Sequence, residues 1–244
     1  MLGYIKADTQ LILTQKLNGI TIRVANTKTK KRRTFKEWLA YKLEGSRTSK
    51  HEYDLVVGSR WAIKNTSTSS QDAYSKTQVW KAVKDKYGHL IPRDVIVFGE
   101  VIGYLPGTTT PIMEGYTYSV PEGEIAFYVY RVAVVTDDQD LYDLSWDQVR
   151  DFCLRHHLKH VPELDRMPRA VLEPEKFENL NFRDEYEQHK HKGDVLYVDE
   201  PVGLGENDAP IDEGYVIRVE SGLTPRILGR KSPKYFDYLR KQAH

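Results

Sequence analysis

The chain is poor in sulfur: of its 244 residues one is cysteine, Cys153, and three are methionine. A single thiol excludes an internal disulfide and fits a reducing, cytoplasmic compartment, the localisation expected. Long hydrophobic runs are missing as well. No stretch approaches the roughly 20 apolar residues that cross a bilayer, and Met1 to Asp8 lacks a secretory leader pattern, so no membrane partner is expected. Neither charge is in excess: 36 Lys+Arg stand against 35 Asp+Glu, a formal net of +1. Bulk charge therefore does not advertise nucleic-acid binding, and any such surface has to be local. There is no internal repeat. His156, His157 and His160 near Cys153, with His189 and His191, match no zinc spacing. Gly203-Leu204-Gly205 is followed by no helix pattern, which argues against a dinucleotide loop.

What is present suffices for a sizeable core: 40% of the residues are hydrophobic, over a length that allows one large domain or two small ones. The 16 tyrosines suit stacking surfaces as well as packing. Residues 1–24 read as strand, turn, strand. The basic run 28–33 reads as a solvated loop or a phosphate-backbone contact, and Thr34 can cap a helix through Tyr41. Tyr53 to Trp61 reads as a strand ending in a glycine turn, and Asn65 to Ser75 as a loop. Val79, Trp80, Val83 and Tyr87 fall on one face of a helix stopped by Gly88. Asp94 to Gly103 is a buried-strand pattern interrupted by Gly99-Glu100. Residues 105–123 read as a loop or hairpin insertion, Glu124 to Val135 as the strongest strand. Ser145 opens a helix to about His157, and Val161 to Leu164 is a short extended piece. Glu173 to Lys190 can hold a helix, Gly214 to Val219 and Arg226 to Leu228 are strands, and Pro233 to Lys241 is a basic helix. The order points to α+β with a largely antiparallel core.

Thr14-Gln15-Lys16-Leu17-Asn18-Gly19 places a lysine between two strand patterns, beside a glycine that admits close backbone approach. The plain reading is a solvated hairpin lysine. The alternative is a covalent nucleophile in surroundings that favour its neutral form. Four later stretches bear on the choice: Ser59-Arg60, Phe98-Gly99-Glu100, Glu213 to Arg218, and Gly229 to Tyr235. A glutamate inside a hydrophobic strand is costly unless it is paired or binds something. Carboxylates for ribose hydroxyls and a divalent metal, cations for a triphosphate and an aromatic face for a base are what a nucleoside triphosphate site with a lysine nucleophile requires.

Together these residues resemble the covalent nucleotidyltransferases, and among them the nick-sealing RNA ligases of bacteriophages and the related RNA-editing ligases. Lys16 to Gly19 is similar to their nucleotidyl-lysine motif. Ser59-Arg60 falls at their ribose-contacting arginine, and Phe98-Gly99-Glu100 and Glu213-Gly214-Tyr215-Val216 repeat their motifs. Phe127-Tyr128-Val129-Tyr130 resembles a strand whose last aromatic stacks on adenine; Phe127 and Tyr128 otherwise read as core. Lys231 and Lys234 fall in the closing lysine motif. The chain departs from the pattern at several places. Gln15 and Asn18 stand where acidic residues (or, at 18, histidine) are usual, and Thr21 where an asparagine is frequent. Tyr130 replaces phenylalanine, Arg131 the aspartate that commonly follows, and Gly229 the first closing lysine.

The resemblance implies one α+β nucleotidyltransferase (adenylation) domain over 1–244, with antiparallel sheets flanked by helices, an ATP-grasp-like ligase core, a candidate helical insertion at about 140–195 and no OB-fold. It implies an ATP-dependent RNA ligase using Mg2+ or Mn2+. Lys16, Glu213 and Lys231 would be catalytic. Gln15, Asn18, Arg60, Glu100, Tyr130 and Lys234 would bind the nucleotide, with Arg230 as a further α-phosphate candidate, and Glu213 would support the metal or the lysine. RNA, as a nicked duplex or single-stranded ends, would be the partner, with a separate nucleic-acid-binding domain or subunit an option. A modest basic face is expected from residues 28–33 and 226–241. The alternatives are a small DNA ligase and a ligase-derived nucleic-acid-binding protein without the chemistry, kept open by Asn18 and Gly229.

Overall fold

The structure is a computed structural model that describes residues 4–30, 51–59, 63–64, 77–138, 140–178, 180–220 and 224–242. Its strands form two sheets. The first has the order β11-β10-β1-β9, from β1 (Gln10–Lys16), β9 (Glu163–Pro168), β10 (Gly214–Val219) and β11 (Arg226–Lys231), all paired antiparallel. The second runs β4-β3-β2-β5-β6-β7, from β2 (Ile20–Lys30), β3 (His51–Gly58), β4 (Ile63–Lys64), β5 (Val95–Gly103), β6 (Ile125–Val135) and β7 (Leu141–Asp143). A short β8 (Lys159–His160) adds to β6 in parallel. Four helices of the described residues complete the picture: α1 (Thr77–Tyr87), α2 (Trp146–Arg155), α3 (Phe182–His191) and α4 (Pro233–Gln242).

Side-chain alternation explains why the sheets stack. On β1, Leu11 and Leu13 belong to one apolar cluster, with Phe182 of α3 and Ile217 of β10. Ile12 belongs to the other, with Val97, Val101 and Phe127 of the second sheet and Val79 and Val83 of α1. The period of two thus places β1 between two cores. At about 1.5–3 kcal/mol for each fully buried aliphatic side chain, these two clusters hold the sheets and their covering helices together. Ser145 caps α2 through a capping box with Gln148, as the local pattern predicts.

Several boundaries differ from expectation. Lys16 is not in a hairpin: β1 and β2 lie in different sheets, and Leu17 to Gly19 cross between them. The step requires glycine, because a Cβ at Gly19 would lie 2.3 Å from the Val101 carbonyl oxygen. Lys28 to Lys30 are not loop but the end of β2, paired with β3; the alternating Thr27 and Thr29 suit a strand, and the run of charge hides it. β11 runs to Lys231 rather than Leu228 because β10 supplies partners along its whole length. Segment 140–195 holds α2 and α3 together with β7, β8 and β9, and β9 is woven into the first sheet beside β1. The helix expected from Thr34 and the Asn65–Ser75 loop lie outside the described residues. Among the described residues no helix is long and apolar enough to cross a membrane.

Candidate active site

Lys16 ends β1 where the chain leaves one sheet for the other. It pairs across the first sheet with Gly214, which pairs in turn with Lys231. Gly214 has φ +141°, and a Cβ there would lie 2.1 Å from the Arg230 carbonyl oxygen. This close approach lets the residue before it, Glu213, reach both lysines. Its Oε2 accepts from Lys16 Nζ at 2.7 Å and its Oε1 is 2.7 Å from Lys231 Nζ. The Glu213 side chain is 3% exposed, so the carboxylate has left water and the two ammonium groups replace its hydration. Lys231 titrates above an ordinary lysine: burial pulls it down, and the Glu213 carboxylate outweighs that.

A cleft of about 290 Å³ opens in front of Lys16 between the two sheets. The first sheet contributes Lys16, Val216, Arg218, Ile227 and Gly229, and the second Thr21, Glu100 and Tyr130. Glu100 accepts from Thr21 Oγ1 at 2.9 Å, its cross-strand partner. Burial raises the Glu100 carboxyl to about 7, against opposing help from Thr21 and Lys16. Tyr130 reaches the cleft through a β-bulge. Phe98 pairs with Arg131 and Gly99 with Val129, so Tyr130 is the extra residue. A bulge re-aims side chains in this way, and Gly99 permits it, since a Cβ there would meet the Phe127 ring at 2.4 Å.

The cleft therefore gathers Lys16, Glu100 and Tyr130 on its wall, and Glu213 and Lys231 are joined to it through the ion pairs behind Lys16. Other expected residues stand elsewhere. The Gln15 amide donates to Asp212 Oδ1 at 2.8 Å and Val202 O at 2.9 Å and accepts from Val202 N. Its side-chain amide is spent inside the protein, where it braces the strand that carries Lys16, while residue 15 also borders the cleft. Asp212, raised to about 7 by burial, also accepts from Phe182 N, which ties α3 to the residue adjoining Glu213. Asn18 is buried behind the cleft: its N–H donates to the Tyr118 hydroxyl at 2.7 Å and its Nδ2 to the Tyr235 hydroxyl at 3.3 Å. A neutral amide suits that apolar, tyrosine-lined place better than a carboxylate. Arg230 points to the opposite face from Lys231 and pairs with Glu178, as strand alternation demands, so it does not stand in for a phosphate-binding lysine. Lys234 is on the exposed side of the first turn of α4 and does not line the cleft. Arg60 lies outside the described residues.

Glu213, expected to carry a metal, has each oxygen held by a lysine. Among the described residues Glu100 has no cationic partner within ion-pair distance. Hard oxygen donors facing a cleft suit magnesium or manganese, and Glu100 is the one available without breaking an ion pair. Sequence reasoning assigned no role to Arg218, which is 2% exposed. It donates to the Tyr130 carbonyl at 3.3 Å, the Leu144 carbonyl at 2.7 Å and Glu220 at 2.9 Å, so it fixes the bulge that presents Tyr130. The signal was a charge inside an apolar strand, the same one that marked Glu100. Trp146, at the start of α2, was read only as a helix opener and forms part of the cleft wall. Arg226, Arg230, Lys231, Lys234, Arg240 and Lys241 are exposed, but Arg230 and Lys231 face opposite ways and Arg230, Lys231 and Arg240 are paired with Glu178, Glu213 and Asp237, so exposure alone does not make the expected basic face of residues 226–241. Residues 31–33 of the other part are outside the described residues.

The model of a family described as RNA ligase matches residues 9–235 of the chain. No curated protein matches it in sequence. Among solved structures it is similar to Naegleria gruberi RNA ligase with PPi. The TM-score is 0.52 at 14% identity, over 96% of this chain and 52% of that one. It is similar also to a lysine-to-alanine variant of the Naegleria gruberi RNA ligase with ATP and Mn, with TM-score 0.51 at 14% identity, over 95% and 52%. At such identity the likeness is one of fold, and the chain spans about half the length of these structures.

Proposed function

Because the chain belongs to the RNA ligase family, we propose that it is an ATP-dependent RNA ligase whose nucleotidyltransferase core works through a lysyl-AMP intermediate. The observation that carries this reading is the single carboxylate, Glu213, shared by Lys16 and Lys231, where Lys16 lines a cleft together with Glu100 and Tyr130. Glu213 Oε2 fixes Lys16 Nζ and is the acceptor placed to take a proton from it. Lys16 Nζ, once neutral, attacks the α-phosphorus of ATP. The N–P bond forms, the bond to the bridging oxygen breaks and pyrophosphate leaves. An RNA 5′-phosphate oxygen then attacks the same phosphorus, Lys16 leaves and regains its proton, and AMP is carried on the RNA. A 3′-hydroxyl attacks the RNA 5′-phosphorus, giving the phosphodiester and releasing AMP.

Lys231 offsets charge on the α-phosphate in the transition state. Tyr130 stacks on the adenine. Glu100, ionised once a ligand repays its burial, accepts the ribose hydroxyls or would hold a magnesium or manganese ion. The ion would supply charge neutralisation on the phosphates. ATP with manganese in a related ligase structure supports this choice of ligands.

Labelled ATP and magnesium should leave label on the protein that survives a denaturing gel. An unlabelled protein, or label that persists in Lys16→Ala, sinks the lysyl-AMP reading. Nicked RNA, RNA–DNA hybrid and DNA duplexes then identify the strand chemistry. Sealing of all-DNA nicks alone would move the assignment to a DNA ligase.

A further inference from the structure

The cleft continues past Tyr130 into a second chamber of about 390 Å³. Thr21, Tyr130 and Ile227 line both, and Arg23, Phe98 and Arg131 belong to the outer chamber. The sheet register builds it. Arg23 follows Thr21 by two residues on β2, so both face the same way, and Arg23 pairs with Phe98 as Thr21 pairs with Glu100. The bulge at Tyr130 does the rest. In a regular strand Tyr130 and Arg131 would face opposite sides; with one extra residue in β6 both line this chamber.

Arg131 is held flat. Its Nε and Nη2 donate to the two oxygens of Asp143 at 2.5 and 3.0 Å, and Asp143 is 6% exposed. The guanidinium carbon lies 4.5 Å from the Phe98 ring centroid. The result is a layered platform, ring beneath and guanidinium above, with the Arg131 side chain still 27% exposed. Arg23 beside it makes no ion pair among the described residues and is partly exposed. One cation is thus neutralised and fixed as a surface, and the other is left with a charge to place.

We propose that this chamber seats the terminal nucleotide of the 5′-phosphorylated strand. Arg23 takes the 5′-phosphate and the Arg131–Phe98 platform lies under the base. The inference rests on the ligase reading above and adds to it the seat of the second substrate. A guanidinium is suited to both tasks: a free fork binds phosphate oxygens, and a fixed plane stacks on a base. The location fits the chemistry. The strand that accepts AMP has to enter beside the nucleotide bound over Lys16, and this chamber opens from that cleft across Tyr130. Neither group reads a ribose hydroxyl or a base edge, so seating is indifferent to base identity.

The test compares binding of an RNA oligonucleotide bearing a 5′-phosphate with the same RNA bearing a 5′-hydroxyl, by fluorescence anisotropy. The proteins are wild type, Arg23→Ala, Arg23→Lys and Arg131→Lys, the last keeping a cation for Asp143 while losing the plane. Lysyl-AMP yield with ATP normalises each preparation for active protein. Arg23→Ala should weaken binding of the phosphorylated strand by about tenfold or more and leave the hydroxyl strand as it was, and Arg23→Lys should recover part of the loss. Arg131→Lys should weaken both strands by roughly fivefold or more. If the preference for the phosphorylated strand is the same in Arg23→Ala as in wild type, the proposal is overturned. Absence of lysyl-AMP in the wild type would refute the mechanism instead, and the binding comparison, normalised then by the folded fraction in a thermal melt, would still read the chamber.

Discussion

Glu100 is a carboxyl group that the fold keeps at a cost, and the cost has a pH signature. Burial, the largest cause, raises it from 4.5 to about 7. Below pH 4.5 it is protonated in folded and unfolded chains alike. Between 4.5 and about 7 the unfolded chain has lost the proton and the folded chain retains it, so stability falls as pH rises. Above about 7 both are ionised and the penalty is constant. At about 1.4 kcal/mol per pH unit the interval sets an upper limit of roughly 3 kcal/mol, and partial access to water brings the expectation to about 1–3 kcal/mol. Glu100→Gln keeps an acceptor for Thr21 and removes the charge. The variant should match wild type near pH 4.5 and become more stable by about 1–3 kcal/mol at pH 8, roughly 2–4 °C in Tm for each kcal/mol. Asp212, also raised to about 7, contributes with the same sign in both proteins and drops out of the difference. Urea titrations from pH 4.5 to 8.5, followed by tryptophan fluorescence, measure the gap. The same variant should raise the KM for ATP by about tenfold or more, since a charged acceptor is gone. A variant no more stable than wild type at pH 8, or a gap that does not widen with pH, refutes the burial argument.

Three further perturbations probe the frame around Lys16. Gly214→Ala drives a Cβ against the Arg230 carbonyl at 2.1 Å in a backbone region that disfavours side chains; it should cost about 2 kcal/mol or more and slow adenylylation by misplacing Glu213, checked by thermal melting alongside adduct formation. Gln15→Ala strands the buried Asp212 carboxyl and the Val202 N–H, and should lower stability by about 2–4 kcal/mol in a chemical melt; an unchanged melt would show that Asp212 finds another donor. Gly229→Lys should fold normally, because its Cβ meets Lys16 Cε at an ordinary 3.6 Å. By adding a cation on the cleft wall it should speed lysyl-AMP formation in a single-turnover assay, and a slower reaction would show that Gly229 is needed for room.

Much of the site could be read along the chain because the signals are local and costly. A glutamate inside an apolar strand has to be paired or put to use, and this marked Glu100 and Glu213; the same signal at Arg218 was passed over. Glycines flanking them marked close backbone approach, which Gly99 and Gly214 both make. The assignments that changed are those that depend on which way a side chain points. Gln15 and Lys16 are neighbours in sequence and part company in space, one bonded to Asp212 and the other to Glu213. Arg230 and Lys231 separate in the same manner. Asn18, two residues from Lys16, is spent on tyrosine hydroxyls contributed by residues 118 and 235, and no spacing rule anticipates partners so far away.

The sequence by itself determined the elements and the unusual residues within them: alternation marked the strands, charge in costly places marked the two glutamates, and the ordered motifs of the resemblance marked Lys16, Lys231 and Tyr130. Only the tertiary structure decided how they meet. Lys16 stands at the crossing between two sheets and not in a hairpin, one carboxylate serves two lysines, and a single extra residue in β6 turns Tyr130 and Arg131 to the same side. Each of these depends on register between strands far apart in the chain, and register is set by the packing of two cores against β1, which no local run of residues encodes.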